Sequence, residues 1–335
     1  MTRAFLGRAE KGYDEVTRDV TEDGVQNDSQ RINGDSVFSG IALCFALSII
    51  VILMFMAGAM VLESLPAIKA FGLRFLTGST WDAVQEDFAS LPYLYGSVVS
   101  SLLALLLATP LSVGCALFIT ELAPRRVGAV TAALVELLAA IPSVIYGLWG
   151  ILVMTPWLQS TVQPLLIKHL GFLPFFQGAP YGVSMLAAVL ILMIMVVPII
   201  TSITKEVLLA VPQSQKEAAL ALGATRWETI RIAVLPYGRS GILGAVILGL
   251  GRAIGETMAV TMVIGNTPKI SLSLLDPAYT MPSVIANEFA EAVSKLHSSA
   301  LMEVGLILLA VTLIINVLAR LLLWSVTRKL KGGTA

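Results

Sequence analysis

Six stretches of about 20 or more predominantly apolar residues recur along the chain, near 37–62, 95–119, 127–155, 183–203, 239–265 and 302–327. A hydrocarbon core of roughly 30 Å demands helices of that length. Charged residues make up 13% of the 335 positions and hydrophobic ones 56%, whereas a soluble domain carries roughly 25% charge. The pattern predicts an all-α integral membrane protein with six transmembrane helices. Residues 36–330 form the membrane domain, and residues 1–35, polar and mixed in charge, form a flexible cytoplasmic tail. The tail is no cleavable signal peptide, because its apolar segment starts late and runs long. Zero net charge argues against nucleic-acid binding. Cys44 and Cys115 fall in apolar runs without metal-ligand spacing and read as small core residues.

Basic residues set the orientation. With the N-terminus inside, the inner segments hold fifteen Lys and Arg, and the outer loops only Lys69, Arg74, Lys168, Lys269 and Lys295. The bias predicts both termini in the cytoplasm. The outer loops 63–93, 156–182 and 267–301 are long, and loops beyond about 12–15 residues usually serve a function. They either dock an extracytoplasmic partner or cap the bundle. The stretch 156–182 is expected to rest at the membrane interface, and 283–296 to form a short helix.

The inner loop, about 204–238, reads as two short helices. Pro212 suits a first helical turn continued over 213–222, and Gly223 supplies a stop. Thr225 and Glu228 have capping-box spacing for a second helix, which ends before Leu235-Pro236. The first displays Ala218, Ala219 and Leu222, either as a docking knuckle or as an interfacial helix on lipid.

The run 240–265 carries Arg252 and Glu256 inside apolar surroundings. An intramembrane charge costs about 2.5–3.5 kcal/mol by insertion scales and is normally retained for function. Four-residue spacing puts both on one helix face, with Glu256 about 6 Å further outward by helical rise. The pair either lines a substrate pathway or forms a self-neutralised structural bridge. Gly241, Ala245 and Gly249 share its arc and Gly251 and Gly255 flank it, a small-residue face expected to line the interface with a partner subunit, where the pathway would lie. In the third span, Pro142 should kink the helix. Ser143 and Tyr146 either donate along a pore or pack in the core, and Glu136 anchors the inner end. Lys205 and Glu206 read as solvated charges, and His169 and His297 lack ligand spacing, so no metal is expected.

Glu217-Ala218-Ala219, Gly223 and Leu235-Pro236 resemble the EAA loop of ABC importer permeases, with Ala233 standing where isoleucine is usual. Narrower motifs resemble the phosphate-importer permeases of the PstC type. These are Thr120-Glu121-Leu122-Ala123-Pro124, Glu136-Leu137-Leu138-Ala139-Ala140-Ile141-Pro142-Ser143, Tyr146-Gly147, Gly255-Glu256-Thr257-Met258 and Ala286-Asn287-Glu288-Phe289-Ala290. The resemblance implies a type I importer permease fold, with a cytoplasmic coupling helix that contacts an ATPase through Glu217, Ala218, Ala219 and Gly223. It implies a bacterial inner-membrane complex with a second homologous permease, two ATPase subunits and an extracytoplasmic phosphate-binding protein. Phosphate would pass Arg252 and Glu256. The chain has no Gly-x-x-x-x-Gly-Lys-Ser/Thr loop, so ATP and magnesium belong to the partner ATPase and the chain is not an enzyme. A sulfate or molybdate permease shares the EAA loop. A secondary transporter would need an ion-coupling site and an internal repeat, and an intramembrane hydrolase a nucleophile–base pair.

Overall fold

The computed structural model describes residues 34–331; residues 1–33 of the expected tail lie outside that range. The chain divides between Ala59 and Met60 into two units. Helix α1 spans Gly34–Phe71. In the first unit its Phe38, Phe45, Met54 and Phe55 are exposed, as suits a helix apolar all round whose backbone groups are satisfied internally. Cys44 is exposed on this helix, and the half-buried Cys115 lies further along the chain, so the expected core placement fails for Cys44.

From Met60 onward a hairpin of β1 (Trp81–Asp82) and β2 (Asp87–Phe88) precedes α2 (Leu91–Leu117). The strands are antiparallel, with Trp81 opposite Phe88. Next come α3 (Arg125–Ala140), α4 (Ser143–Trp149), α5 (Met185–Leu209), α6 (Gln213–Ala221) and α7 (Arg226–Thr229). The chain continues through α8 (Leu235–Ile254), α9 (Met258–Val263), α10 (Met281–Glu288) and α11 (Lys295–Lys331). Five described helices are long and apolar enough to cross a membrane, and a bent pair makes a sixth if its two legs count as one span.

That pair is the third expected span. Pro142 sterically bars the preceding residue from helical geometry, and Ile141 is extended at ψ 128°. Helical leg Arg125–Ala140 therefore meets leg Ser143–Leu170 at 92°. The Tyr146 hydroxyl donates to the Leu138 carbonyl at 2.8 Å and closes the corner. The second leg reaches Leu170, so the first half of the expected loop 156–182 is helix. Likewise α1 runs to Phe71, into the expected loop at 63, and the helix expected over 283–296 stops at Glu288.

Prolines also explain the widened turns. Phe118–Leu122, Gly150–Met154, Leu158–Val162 and Ile230–Val234 are π turns. Each ends two residues before a proline: Pro124, Pro156, Pro164 and Pro236. A proline ring crowds the carbonyl four residues back and cannot bond it, so the preceding turn opens.

Helix α5 is the centre of the bundle, with Ile191, Leu192 and Ile200 buried against α2, α8 and α3. Helix α2 meets it with buried small residues at near-helical repeat: Ser97, Ser101, Ala104, Ala108, Ser112 and Ala116. Small side chains let backbones approach where hydrophobic burial offers little drive. Ser112 Oγ donates to the Val197 carbonyl at 3.2 Å, and Thr201 Oγ1 donates to the Ser112 carbonyl at 3.4 Å. Both helices end in one apolar cluster of Ala116, Leu117, Leu208, Val211, Ile230 and Val234, so they run parallel. The opposite end is closed by Phe75, Phe88, Tyr93, Tyr279, Met281 and Leu301.

The seam between α2 and α5 makes a direct prediction. Ala108→Leu should overpack it and cost about 1–3 kcal/mol, whereas Leu107→Ala on the exposed face should be near neutral. Thermal melting of the purified protein checks this, and equal melting of the two variants would contradict the seam.

Candidate functional site

The fifth expected span is not continuous. Gly251 and Gly255 weaken the helix, α8 ends at Ile254, and α9 begins at Met258. A break of this kind frees backbone groups that lipid cannot satisfy. Glu256 fills part of that need: its Oε1 accepts from the Ala259 N–H at 3.3 Å. Its Oε2 lies 3.1 Å from Arg252 Nη2. The carboxylate is turned back onto the guanidinium rather than standing a helical turn beyond it.

The two charges are placed unequally. The Glu256 side chain is 3% exposed and that of Arg252 is 47% exposed. Among the described residues the guanidinium makes no hydrogen bond, and its ion pair is with Glu256. One nitrogen is thus held by a buried carboxylate, and the rest of a planar donor fork stays open. Such a fork suits bidentate contact with an oxyanion.

The break rests on α4. A Cβ at Gly147 would lie 2.6 Å from Met262 Sδ and 3.1 Å from the Ala259 Cα, and one at Gly150 would lie 2.8 Å from Val263 Cγ1. These two glycines let α9 lie on the bent span. Tyr146 is buried, with its hydroxyl on Leu138; it shapes the corner and does not offer a donor along a pore. Ser143 is half-buried at the first position of α4.

The glycine face also differs from expectation. A Cβ at Gly241 would meet Val207 at 2.5 Å, one at Gly249 would meet Ile200 at 2.8 Å, and Ala245 is fully buried. At these positions the close approach is made to α5 of the same chain, not to a second permease. Gly251 has open space beside it and Gly255 nearly so.

The EAA-like loop forms as its local signals predict. Thr225 Oγ1 accepts from the Glu228 N–H at 3.3 Å, and Glu228 Oε2 accepts from the Thr225 N–H at 2.7 Å. Gly223 has φ +85°. The Ala224 N–H reaches the Ala219 carbonyl and the Gly223 N–H the Leu220 carbonyl, a Schellman closure. Glu217, Ala218 and Leu222 are exposed but Ala219 is buried, so Ala219 seats the loop on its own chain and drops out of the exposed stripe. Trp227 joins that surface, 61% exposed.

Three ion pairs at the loop end of the bundle escaped sequence reasoning. Lys216 Nζ lies 2.6 Å from Glu121 Oε1, both side chains largely covered, and ties α6 to the turn after α2. Lys205 Nζ lies 2.9 Å from Glu136 Oε1 and 3.2 Å from Glu206 Oε1. Lys205 is therefore a link from α5 to α3 and not a solvated charge, while Glu136 does tie its helix. Their only sequence signal is an opposite charge at another span edge. His297 is buried, stacked on Phe88 at 5.1 Å, with Nε2 3.1 Å from Glu288.

An ion pair that leaves half a cationic fork open, on an interrupted apolar helix, is compatible with a protein that passes a charged solute. The chain is a membrane permease. It belongs to the family of binding-protein-dependent transport system inner membrane components, which matches residues 108–331. The phosphate transport system permease protein PstC of Mesorhizobium japonicum is 47% identical over 293 residues, 86% of this chain and 90% of that one. That of Haemophilus influenzae is 43% identical over 293 residues, covering 86% and 93%. Among solved structures, a bacterial alginate ABC transporter in complex with a pentasaccharide-bound periplasmic protein matches with TM-score 0.56 at 18% identity, covering 87% of this chain and 96% of that one. The MetNI methionine ABC transporter in an inward-facing conformation matches with TM-score 0.52 at 15% identity, covering 70% and 94%. These likenesses place the fold among type I ABC importer permeases, multi-pass proteins of the inner membrane.

Removing Arg252 alone leaves a buried carboxylate uncompensated, a change worth up to about 3–5 kcal/mol; removing both charges does not. Arg252→Gln should therefore lower the melting temperature and membrane yield, and Arg252→Gln/Glu256→Gln should recover both. Equal melting of single and double variants would show that the pair does not support the fold.

Proposed function

We propose that this chain is the permease subunit of an ATP-driven inorganic phosphate importer and forms half of the translocation pathway. The observation that carries the reading is the half-open Arg252 fork, held by a buried Glu256 at a helix break. Arginine stays charged at any relevant pH and matches phosphate oxygens two at a time. Its engagement with Glu256 lowers the cost of the empty site, and the same carboxylate repels a bound dianion and favours release. Open space beside Gly251 and Gly255 leaves room for the other half of the pathway, supplied by a second homologous permease. Phosphate is preferred over sulfate or molybdate because the curated relatives at 43–47% identity are phosphate permeases.

The exposed Glu217, Ala218, Leu222 and Trp227 form the surface for one of two partner ATPases, which bind ATP and magnesium. This end is cytoplasmic, as the basic-residue bias requires, and both termini share that side. The aromatic end then faces outward, toward an extracytoplasmic phosphate-binding protein.

Uptake per assembled complex tests the pathway. Arg252→Gln/Glu256→Gln, which keeps assembly, should lose uptake at least about tenfold, since a charge-assisted hydrogen bond contributes about 1.5–3 kcal/mol. Arg252→Lys should retain only part, because a point charge lacks the fork. Wild-type uptake by the double variant would remove the pair from the mechanism.

A separate test addresses the loop. Leu222→Asp should uncouple the ATPase, read as lost co-purification, while the spans still insert. Gly223→Val should do the same by imposing a left-handed conformation that costs a side chain roughly 1–2 kcal/mol. Undiminished co-purification with both variants would refute the docking surface.

A further inference from the structure

The break between α8 and α9 carries polar groups that the charge pair does not use. Gly255 is exposed, and the Thr257 hydroxyl donates to its carbonyl in an exposed contact at 3.4 Å. A hydrogen bond of that length is weak, and among the described residues the carbonyl has no other partner. Thr257 is half-buried, and its own carbonyl accepts from the Thr261 N–H at 2.9 Å and the Thr261 hydroxyl at 2.7 Å. Its backbone is therefore held while its hydroxyl is loose.

Ser143 comes to the same place from another element. On α4, Gly147 approaches Met258 and Ala259, and Gly150 approaches Val263. The contacts advance in the same direction along both helices, so α4 and α9 run parallel. Ser143 lies four residues before Gly147, on the same face and about 6 Å back by helical rise. That brings it level with residues 255–257. It is half-buried, and its hydroxyl makes no hydrogen bond among the described residues.

Arginine can only donate, so Arg252 treats every tetrahedral dianion alike. Both Glu256 oxygens are engaged, which leaves the Gly255 carbonyl to read a proton: it pairs with an O–H and repels a bare oxygen. At neutral pH phosphate keeps at least one O–H group, whereas sulfate keeps none. When hydrogen phosphate arrives, the Thr257 hydroxyl turns to an anionic oxygen and the solute's O–H replaces it on the carbonyl. No hydrogen bond is lost. With sulfate the same turn strands the carbonyl, and without it the lone pairs of the hydroxyl face an anionic oxygen. A site built to pair with a substrate hydroxyl rejects the analogue that lacks it.

We propose that Thr257, with the Gly255 carbonyl and the Ser143 hydroxyl, selects at Arg252 an oxyanion that bears an O–H group, so that the permease itself discriminates phosphate from sulfate. Arg252 supplies the charge, which is drawn toward the start of α9 by Glu256. Thr257 and Gly255 supply the choice, and Ser143 adds a second hydroxyl from α4. The proposal rests on the reading of Arg252 as the point that phosphate passes, and adds selection to it.

The test uses the assembled transporter in nanodiscs, without the binding protein, titrated calorimetrically with inorganic phosphate, sulfate and monofluorophosphate. The last is a dianion with fluorine in place of the hydroxyl. Phosphate should bind about tenfold tighter than either of the others, the worth of one hydrogen bond. Thr257→Val should bring the ratio near one by weakening phosphate alone, Thr257→Ser should restore it, and Ser143→Ala should lower it less. A mere packing defect would weaken all three anions together, and that result overturns the proposal. So does a wild type that binds the three equally or not at all, or a ratio that Thr257→Val leaves unchanged. Arg252→Gln should lose all three anions. Their retention sinks the pathway reading on which the selection rests, whereas their loss beside an unselective wild type sinks the selection alone.

Discussion

In hydrocarbon an unsatisfied backbone group has no water to turn to, and the interruption between α8 and α9 has to be reconciled with that fact. Glu256 is the reconciling group. One carboxylate oxygen covers the Ala259 N–H and the other holds Arg252, so backbone repair and charge compensation meet in one buried side chain. The neighbouring structure is arranged around it. Gly147 and Gly150 clear the floor for α9, and Gly241 and Gly249 press α8 onto α5. Without close packing on both sides the break would admit lipid.

The asymmetry of the pair separates it from a purely structural bridge. A fully buried pair would be a structural bridge, and a fully exposed one would be screened and weak. Here the acid is covered and the base is half open. Both oxygens of the carboxylate are already engaged, so its further influence is through its charge. The guanidinium retains free donors. The two opposite charges are thus held 3.1 Å apart.

Local signals were legible in the sequence and non-local ones were not. The capping box of Thr225 and Glu228 and the closure at Gly223 use hydrogen bonds within a few residues, so their spacing is their structure. Pro142 announced a bend, but its 92° angle depends on Tyr146 reaching back to Leu138. Arg252 and Glu256 were visible as charges in an apolar run. Their four-residue spacing fits an intact helix equally well, and only the reach to Ala259 distinguishes a break. The small residues were visible too, yet which helix they approach is a tertiary fact: Gly241 and Gly249 meet α5. The Lys216–Glu121 bridge joins residues 95 positions apart, beyond any local pattern.

The same contacts relate the two ends of the molecule. Helix α8 begins beside Ile230 and Val234, which share a cluster with Leu208 of α5, and it ends at the ion pair. It is a 20-residue rod, about 30 Å long by helical rise, and its glycines seat it on α5. Helix α9 is seated instead on α4 through Gly147 and Gly150. The break therefore lies where two supports meet, one continuous with the docking loop and the other not. The contact at that meeting point is the one between Arg252, carried by α8, and Glu256, tethered to α9 through the Ala259 N–H. A discontinuous helix thus places the compensation of the intramembrane cation where the seating of α8 on α5 gives way to that of α9 on α4.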